Sequence, residues 1–455
     1  MLTAACAGAL SAAFWGVLVL SLLVFVHEGG HYLMARACGM RVTEFFLGMP
    51  CRLKLSWKSR RRGTEFGVTP LLLGGYTRIC GMGGVQDELL GACFELVQRQ
   101  GRVSLPQVAQ TLGVDEGRAY DLLVTLCDWA AIRQRPAATG DDARFETLAR
   151  DGRFLTEYDR GCDFALPGCT DAGAPRPLDG DVASALDRER SFTYLGKGFV
   201  RRTLTLLAGP LVNLLFAFVV MTAGLCLVGT DVASGSNVVG SVGDGSLAQA
   251  AGLQAGDAVV SVDGRPVSDW AGVAQALSGV LGEGRDFSLD VMRAGETITL
   301  SVDVPDGQDV QAIGIRPTTR KVRMGLVEAS RVTLSYGASV AGFAVRLIMP
   351  QHTLETIQGT SSVVGISAMA SEAASAGAYP LILFMALVSM SLGVMNLLPI
   401  PPLDGGKVII ELIQLVLRRP LSLRVQTAVS YVGLALFVLI FVIALRNDVL
   451  HLMLG

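Results

Sequence analysis

The sequence predicts a polytopic α-helical membrane protein that carries soluble domains between its spans. Of the 455 residues, 51% are hydrophobic and 17% are charged, which is more apolar than soluble proteins. Four stretches are long and apolar enough to cross a bilayer, at residues 12–34, 203–228, 380–417 with a break, and 425–445. The net charge of −2 predicts no overall affinity for nucleic acid or anionic lipid.

The first span and the region after it cover residues 1–85 and contain the motif His27-Glu28-Gly29-Gly30-His31. On a helix, His27 and His31 lie on one face, where two imidazoles can bind one Zn²⁺ while Glu28 deprotonates a water molecule. Ionisable groups inside a span are costly unless a metal or partners satisfy them. The motif therefore predicts a zinc site with metalloprotease chemistry. The alternative is a polar patch at the cytoplasmic end of a membrane helix.

The distribution of basic residues predicts the orientation in the membrane. No Lys or Arg precedes Arg36, whereas basic clusters follow the first span at residues 52–62 and separate the last two spans at 418–424. The positive-inside rule then places both termini outside the cytoplasm and the His-Glu motif toward the inner side. The N-terminus lacks the basic region of a secretory signal, and Cys6 comes too early to follow an apolar signal segment. The first span is therefore expected to stay in the protein.

Residues 63–76 read as two short apolar strands with a turn near Pro70, too short for a helical span. Non-helical backbone at membrane depth must be buried in protein or line a cavity, so we expect a re-entrant β-hairpin beside the zinc motif. Its free edge could pair with an extended substrate by strand addition. The candidate substrate-binding residues there are Gly67, Leu72, Gly74 and Gly75. The alternative is an ordinary cytoplasmic hairpin.

Residues 86–160 differ in character from the spans. Residues 104–114 read as a helix that ends in a Gly turn, 115–129 as a second helix and 131–135 as a β-wing, an order that resembles a winged helix-turn-helix domain. DNA binding is not expected, because residues 86–190 contain 19 acidic and 12 basic residues. We expect a cytoplasmic module that contacts a protein partner, followed by a flexible linker at 161–190 rich in Pro, Gly, Asp and Ala.

The second span lies within residues 191–233 and contains Gly209-Pro210-Leu211-Val212-Asn213. Proline kinks a helix, and an Asn amide in lipid needs a partner, so Asn213 is expected to face protein or substrate.

Residues 234–318 show short strands with Gly turns and a helix at 271–278. This pattern resembles a single PDZ domain of the kind found in bacterial envelope proteases, and we expect it outside the cytoplasm. Its groove could receive a chain terminus by strand addition or could only exclude folded substrates. Residues 319–379 are expected to form an amphipathic segment beside the membrane.

Residues 380–455 hold the last two spans and the remaining site candidates. The run that begins at Asn396 contains three prolines, breaks the helix and delivers Asp404 at the break. A zinc ion held by two His residues needs a third protein ligand and one open position, and Asp404 supplies that ligand. Taken alone, this segment also fits a carboxylate that lines a transport pathway.

Together these motifs resemble the site-2 protease family of intramembrane zinc metalloproteases, in particular its bacterial branch around the regulator-of-sigma-E protease. The resemblance covers residues 1–85 and 190–455. It rests on His27-Glu28-x-x-His31, the loop at 63–76, Gly209-Pro210-x-x-Asn213, the PDZ-like region and Asn396-x-x-Pro399-x-Pro401-x-x-Asp404-Gly405. It implies His27, His31 and Asp404 as ligands of one Zn²⁺ per chain, Glu28 as general base, and Asn213 and Asn396 as substrate-handling residues. The chain departs from that branch in its single PDZ-like domain and in the insertion at 86–190.

The resemblance implies a multi-pass protease of the bacterial inner membrane that cleaves transmembrane segments of single-span proteins in the bilayer. An anti-sigma factor and a remnant signal peptide are the substrates that it suggests. The alternative is a zinc-dependent membrane scaffold or metal transporter that uses the same ligands without hydrolysis. Glu28 discriminates between the two, because a transport site has no need of a general base beside its first ligand.

Overall fold

The computed structural model describes residues 2–59, 61–72, 74–84, 87–135, 143–178, 180–304, 312–349, 351, 362–418, 421 and 423–454. The chain divides into two compact units, one formed by Met1–Met221 with Val332–Gly455 and the other by Thr222–Arg331. Four helices in the described ranges are long and apolar enough to cross a membrane: Gly8–Ala37, Phe199–Leu227, Ala378–Asn396 and Val425–Arg446. They confirm the four predicted spans, although the third ends before the prolines.

The chain begins with α1 (Leu2–Ala37), which carries the His-Glu motif and leads into a four-stranded sheet. The strands are β1 (Val42–Leu47), β2 (Leu55–Lys58), β3 (Glu65–Val68) and β4 (Gly75–Ile79), in the spatial order β2-β3-β1-β4. β1 is parallel to β3 and antiparallel to β4. The helix packs on β1 through Phe45, whose ring lies 4.9 Å from that of Phe25 and 5.2 Å from that of Tyr32.

The predicted hairpin at 63–76 is wrong in its pairing. Its two strands are present as β3 and β4, but β1 lies between them, so they do not pair with each other. The sequence analysis overlooked β1, whose Val, Thr and Phe residues have high β-propensity and suit a strand paired on both sides. As a result β4 is an edge strand of this sheet, and its outer edge pairs with no described strand.

The inserted module, which we define as residues 87–178 with the helix that follows, has its own hydrophobic core. Its elements are α2 (Leu90–Gln100), β5 (Arg102–Ser104), α3 (Leu105–Leu112), α4 (Glu116–Asp128), β6 (Ile132–Gln134) and β7 (Arg144–Thr147), with the sheet order β5-β7-β6. Ser104 and Gln107 form a capping box at the start of α3, and Gly113 ends that helix in the left-handed conformation. The two helices predicted at 104–114 and 115–129 are confirmed, and the winged helix-turn-helix assignment stays a prediction.

The prediction of a flexible linker at 161–190 is wrong where the structure describes this stretch. The amide of Gly173 donates to the carbonyl oxygen of Thr147, which ties the stretch to the sheet of the module. Its last part forms helix α5 (Val182–Ser191), in which Glu189 is fully buried. Composition did not reveal these contacts, because Pro, Gly and Asp suit ordered turns as well as flexible chains.

The second span is α6 (Phe199–Leu227), and Pro210 lies inside it. Proline removes one amide donor from the helical ladder, which is how it kinks a helix. Thr205 and Asn213 lie on either side of Pro210 and are both fully buried. α6 therefore turns polar groups toward protein at membrane depth, as predicted for Asn213.

The second unit, Thr222–Arg331, consists of short strands and two helices around a separate core. Its elements are β8 (Thr230–Ala233), β9 (Val239–Val242), α7 (Leu247–Ala250), β10 (Ala258–Val262), β11 (Arg265–Pro266), α8 (Trp270–Gly282), β12 (Phe287–Arg293), β13 (Glu296–Val302), β14 (Ile315–Pro317) and β15 (Thr319–Val322). One sheet has the order β11-β10-β12-β13, while β9 pairs with β14 and β8 with β15. The predicted helix at 271–278 is confirmed as part of α8, and the PDZ assignment stays a prediction.

Five helices complete the described chain: α9 (Leu326–Ile348), α10 (Val363–Ala376), α11 (Ala378–Asn396), α12 (Asp404–Leu417) and α13 (Leu423–Leu454). The sequence analysis did not single out α10, which packs along α1. The hydroxyl of Ser371 lies 2.8 Å from that of Ser11, and Gly16 faces Ser367 so closely that a Cβ there would overlap it. Small residues let these two helices touch.

We expect the stability of the second unit to depend on the ionised carboxylate of Asp257. Two hydrogen bonds from Arg293, each 2.7 Å long, hold the pKa of that carboxyl below its usual value. A depressed folded-state pKa stabilises the fold above the unfolded pKa of about 4, and this contribution is lost as the pH falls below it. Calorimetry of the full chain in detergent should therefore show a melting-temperature advantage of wild type over Asp257→Asn at neutral pH. That advantage should shrink below about pH 4, and a difference independent of pH would contradict the ionic origin.

Candidate metal centre and active site

Three polar side chains from distant parts of the chain meet at one buried point. His27 and His31 lie one turn apart on α1, and Asp404 is the first residue of α12. Oδ2 of Asp404 lies 3.0 Å from Nε2 of His27 and 3.2 Å from Nε2 of His31, and the two Nε2 atoms are 3.2 Å apart. The three residues are only 7–8% exposed. The structure thus brings together the ligand set expected from the sequence.

Hydrogen bonds on the far side of each imidazole orient the two rings. Nδ1 of His31 donates to the carbonyl oxygen of Thr205 at 2.7 Å, so a neutral His31 presents a lone pair at Nε2. Nδ1 of His27 faces the amide of Asn213 at 3.4 Å. Among the described residues, the amide oxygen of Asn213 is buried without a hydrogen-bond partner. Exchanging the similar oxygen and nitrogen of that amide lets the oxygen accept the Nδ1 proton of His27.

This arrangement fits a zinc ion. Three electron-rich atoms face one another, and a cation between them would satisfy all three. Zinc bonds of about 2.0–2.1 Å in a tetrahedron separate neighbouring ligand atoms by about 3.3 Å, close to the separations given above. The three residues would leave the fourth position open for water or substrate, which is the arrangement of catalytic rather than structural zinc sites.

Glu28 is partly buried and lies between the ligand cluster and β4. One carboxylate oxygen of Glu28 and one ring nitrogen each of His27 and His31 all lie within 4.8 Å of one another. The hydroxyl of Thr77 on β4 donates to the backbone carbonyl of Glu28 at 3.0 Å. A Cβ added to Gly75 would lie 3.8 Å from Cγ of Glu28, so the start of β4 is beside the carboxylate side chain.

Two glycines allow α1 and α6 to approach at this level. A side chain at Gly209 would overlap Nε2 of His31 and would come within 2.8 Å of Nε2 of His27. A side chain at Gly30 would lie 2.5 Å from the carbonyl oxygen of Ala208. The sequence analysis singled out the Gly-Pro-x-x-Asn motif for the side-chain amide of Asn213. It did not predict that Gly209 leaves room for the two imidazoles.

A tight turn positions Asp404 at the start of α12. A Cβ at Gly405 would overlap the carbonyl of Leu397, so the proline-containing turn folds directly against the first turn of the helix. The carboxylate oxygen of Asp404 that faces away from the histidines, Oδ1, lies 3.3 Å from Nζ of Lys407. The sequence analysis did not name Lys407, although its i, i+3 spacing on a helix is a signal for such contacts.

A second polar cluster, also missed from the sequence, links α12 to α6. Glu411 lies two turns after Asp404 and is 6% exposed. Its Oε1 accepts a hydrogen bond from the hydroxyl of Tyr194 at 3.1 Å, and its Oε2 lies 3.1 Å from Nη2 of Arg202. A lone Glu in an apolar helix needs partners, which is the sequence signal that could have found this cluster.

Three of the predicted substrate-binding residues on the sheet have other contacts. Gly67 lies in β3, which is paired on both sides and has no free edge for a substrate. Leu72 lies in a loop, and its carbonyl accepts a hydrogen bond from Ser21 of α1. Gly74 lies in the same loop, and its carbonyl accepts the amide of Gly48 at 2.7 Å. The pairing of β3 contradicts an open edge at Gly67, whereas the roles of Leu72 and Gly74 stay predictions with one carbonyl of each already bonded within the protein.

The two asparagines expected to handle substrate differ in position. Asn213 contacts His27, as described above. The side-chain amide of Asn396 donates to the carbonyl oxygen of Leu392 at 3.0 Å, within its own helix. For the described residues, the structure records no hydrogen bond from Asn396 to the ligand cluster.

Comparison with known proteins gives the family. The model of peptidase family M50 matches residues 15–440. The chain belongs to peptidase family M50. The site-2 protease resemblance is therefore confirmed, and the protein is a zinc metalloprotease of the membrane.

The relatives of this M50 peptidase align along nearly the whole chain. The zinc metalloprotease RasP of Geobacillus kaustophilus is 27% identical over 440 residues, covering 95% of this chain and 96% of the relative. The regulator of sigma-W protease RasP of Bacillus subtilis is 24% identical over 450 residues, covering 96% and 98%. A putative zinc metalloprotease of Lactococcus lactis is 26% identical over 450 residues, covering 96% and 97%. All three relatives are named as proteases, and none of the three is named as a metal transporter or scaffold.

We expect Gly209→Ala to disturb the metal centre, because its new methyl group would occupy the space of the two ligand nitrogens. Zinc affinity should fall by about tenfold or more, with a matching loss of proteolysis. Gly29→Ala is the matched control, since a Cβ there meets no atom within 4 Å. Zinc content measured by atomic absorption after dialysis should separate the two variants. Full zinc retention in Gly209→Ala would contradict the close approach of α6 to the ligands.

Proposed function

We propose that this M50 peptidase cleaves a peptide bond within the transmembrane helix of single-span membrane proteins, with His27, His31 and Asp404 as its zinc ligands. The observation that carries this proposal is the convergence of three ligand atoms at 3.0–3.2 Å at a buried point between apolar helices. Such a site is reached by a substrate that lies in the membrane. The carboxylate of Glu28 lies beside the two histidines. Because Asp404 supplies the third ligand, Glu28 is free to act as a base.

Each residue near the metal has a distinct task in this mechanism. When bound, zinc supplies a Lewis acid that polarises the scissile carbonyl and lowers the pKa of a water toward about 7. Glu28 accepts the proton of the attacking water and passes it to the leaving amine. Thr205 and Asn213 hold the two imidazoles with their Nε2 lone pairs toward the ion.

The outer edge of β4 is the proposed platform for substrate. A transmembrane helix must unwind before cleavage, because its backbone groups are bonded within the helix and its carbonyls are inaccessible. The open edge at Gly75–Ile79 offers replacement hydrogen bonds beside Glu28. Beyond Ile79 the edge is already occupied, because the amide of Tyr194 donates to the carbonyl oxygen of Cys80 at 2.8 Å.

The proposed substrates are an anti-sigma factor or a remnant signal peptide. Support comes from the Bacillus subtilis relative, which is named a regulator of sigma-W protease. Both substrate classes place a single apolar helix in the membrane, which matches a site between membrane helices.

We place the protein in the bacterial inner membrane with both termini outside and the inserted module in the cytoplasm, following the basic residues after the first span. The second unit, outside the membrane, would then act as the PDZ-like domain that receives a terminus or excludes folded chains. The inserted module is proposed to contact a protein rather than DNA. Arg118, the basic residue of α4, donates hydrogen bonds of 2.8 and 2.9 Å to the carboxylate of Asp87, so its charge is already paired. Its neighbours Tyr120 and Val124 are exposed on the same helix.

Glu28→Gln should abolish proteolysis while the chain keeps about one zinc, because the change removes a base and no ligand. Asp404→Ala should lose both zinc and activity. The two variants are compared by gel analysis of the cleavage of a reconstituted transmembrane substrate and by metal analysis of the same samples. Residual cleavage by Glu28→Gln would overturn the role of the base. A fully zinc-loaded Asp404→Ala protein would show that the third ligand is another residue.

We expect substrate to protect the amides of β4 from hydrogen exchange. In the Glu28→Gln chain, a bound transmembrane peptide should slow exchange at Gly75–Ile79 by about tenfold, because edge amides gain partners. The interior strand β3, at Glu65–Val68, is the internal control and should not change. Mass spectrometry of peptic fragments resolves the two strands. Equal exchange with and without substrate at β4 would exclude it as the platform.

A further inference from the structure

Arg41 follows α1 and is 1% exposed, with its side chain inside the inserted module. Its Nε and Nη2 donate to the two carboxylate oxygens of Asp159 at 2.7 and 2.6 Å. Its Nη1 donates to Oε2 of Glu189 at 2.7 Å and to the carbonyl oxygens of Trp129 and Ala130 at 3.2 Å each. All four acceptor residues belong to the module. One residue of the membrane part therefore satisfies five acceptor atoms of the module.

The charges around Arg41 form a balanced buried set of two guanidinium groups and two carboxylates. Oε1 of Glu189, the oxygen that Arg41 does not contact, accepts from Nη1 of Arg150 at 2.7 Å. Burial alone would lower the pKa of the Arg41 guanidinium, but the carboxylates of Glu189 and Asp159 raise it above its usual value. Removal of one member leaves a buried charge uncompensated, which is far more destabilising than loss of an exposed pair.

The backbone of Arg41 belongs to the membrane part. Its amide donates to the carbonyl oxygen of Phe192 at 2.9 Å, and its own carbonyl accepts the amide of Cys80 at 3.0 Å. Cys80 directly follows β4, and Phe192 directly follows the last helix of the module. The residue thus lies where the chain leaves the sheet for the module and where it returns.

Fixed contacts connect Arg41 to the catalytic motif. Arg41 immediately precedes β1, and Phe45 on that strand packs against Phe25 and Tyr32, which bracket His27–His31 on α1. β1 also pairs with β4, from which Thr77 donates to the carbonyl of Glu28. A displacement of β1 would therefore move both the general base and the open edge of β4.

We infer that Arg41 is a positioning residue for proteolysis, through which the state of the inserted module sets the placement of β1 and of the β4 edge beside Glu28. This inference rests on the proposed function, since it assumes that substrate pairs with β4. A partner that loosens or tightens the module at Asp159 and Glu189 would change cleavage without touching the zinc ligands. The module is then a control element joined to the start of β1 through Arg41, beside the more exposed contact of Lys58 on β2 with Glu157.

Arg150 provides a matched comparison, because it is also a buried arginine paired with Glu189, but its other contacts stay inside the module. Its Nη1 and Nη2 donate to the carbonyl oxygens of Phe154 and Ala131. Arg41→Met and Arg150→Met each remove one guanidinium from the same charge set. A purely structural role for Arg41 predicts the same outcome for both variants.

The experiment uses the full chain with a reconstituted transmembrane substrate. We expect Arg41→Met to keep about one zinc per chain but to lose about tenfold in kcat/KM, together with the substrate-induced protection of Gly75–Ile79. Arg150→Met should keep kcat/KM within about twofold and keep that protection. Hydrogen exchange at the buried amides of α4 reports the stability of the module. Both variants should lower that stability and so speed the exchange. Wild type and Glu28→Gln are run beside them, so that absence of cleavage by wild type identifies a failure of the proposed function instead.

Two results would overturn the inference. The first is a kcat/KM of Arg41→Met equal to that of wild type. The second is an equal loss in Arg41→Met and Arg150→Met at equal exchange of the α4 amides. If Arg41→Met does not accumulate, Arg41→Lys replaces it, because lysine keeps the charge but cannot make the two-pronged contact to Asp159. Unchanged kcat/KM and unchanged β4 protection in Arg41→Lys would then overturn the inference.

Discussion

The close approach of α1 and α6 is the constraint on which the rest of the structure depends. The helices touch at Gly30 and Gly209, where a methyl group would strike backbone or ligand atoms. Only at this separation can Thr205 reach Nδ1 of His31. The lone pairs of the two imidazoles then face inward, and an anionic side chain must come from elsewhere to complete a cation site. The break before α12 delivers Asp404 to that place, and Glu411 ties the same helix to Arg202 of α6.

Sequence patterns predicted the parts of this molecule that depend on local chemistry. The i, i+4 spacing of His27 and His31 places two imidazoles on one face of any helix, and a proline-rich break in an apolar run delivers the carboxylate that follows it to membrane depth. Apolar length likewise predicted the four spans. These signals need no knowledge of which segments become neighbours.

The errors came from non-local pairing. Two apolar segments around Pro70 looked like a hairpin, but β1 had higher β-propensity and took the position between them. Gly67 lies in β3 and for that reason has no free edge to offer a substrate. Residues 161–190 looked flexible because their contacts are with residues far back in the sequence, such as Gly173 with Thr147. Glu411 is a single polar residue whose importance appears only once its distant partners, Tyr194 and Arg202, are known.

The positions of the proposed zinc ligands along the chain have a consequence for biosynthesis. His27 and His31 are made early, but Asp404 follows them by more than 370 residues. A ribosome-bound chain that has inserted its first two spans holds His27, Glu28 and His31 without the Asp404 carboxylate that lies beside the two histidines in the folded chain. Such a nascent protease has no assembled active centre while it is threaded into the membrane beside other newly made proteins. Assembly of the site is thereby coupled to insertion of the segment that carries Asp404, which delays proteolysis until that segment has joined the first two spans.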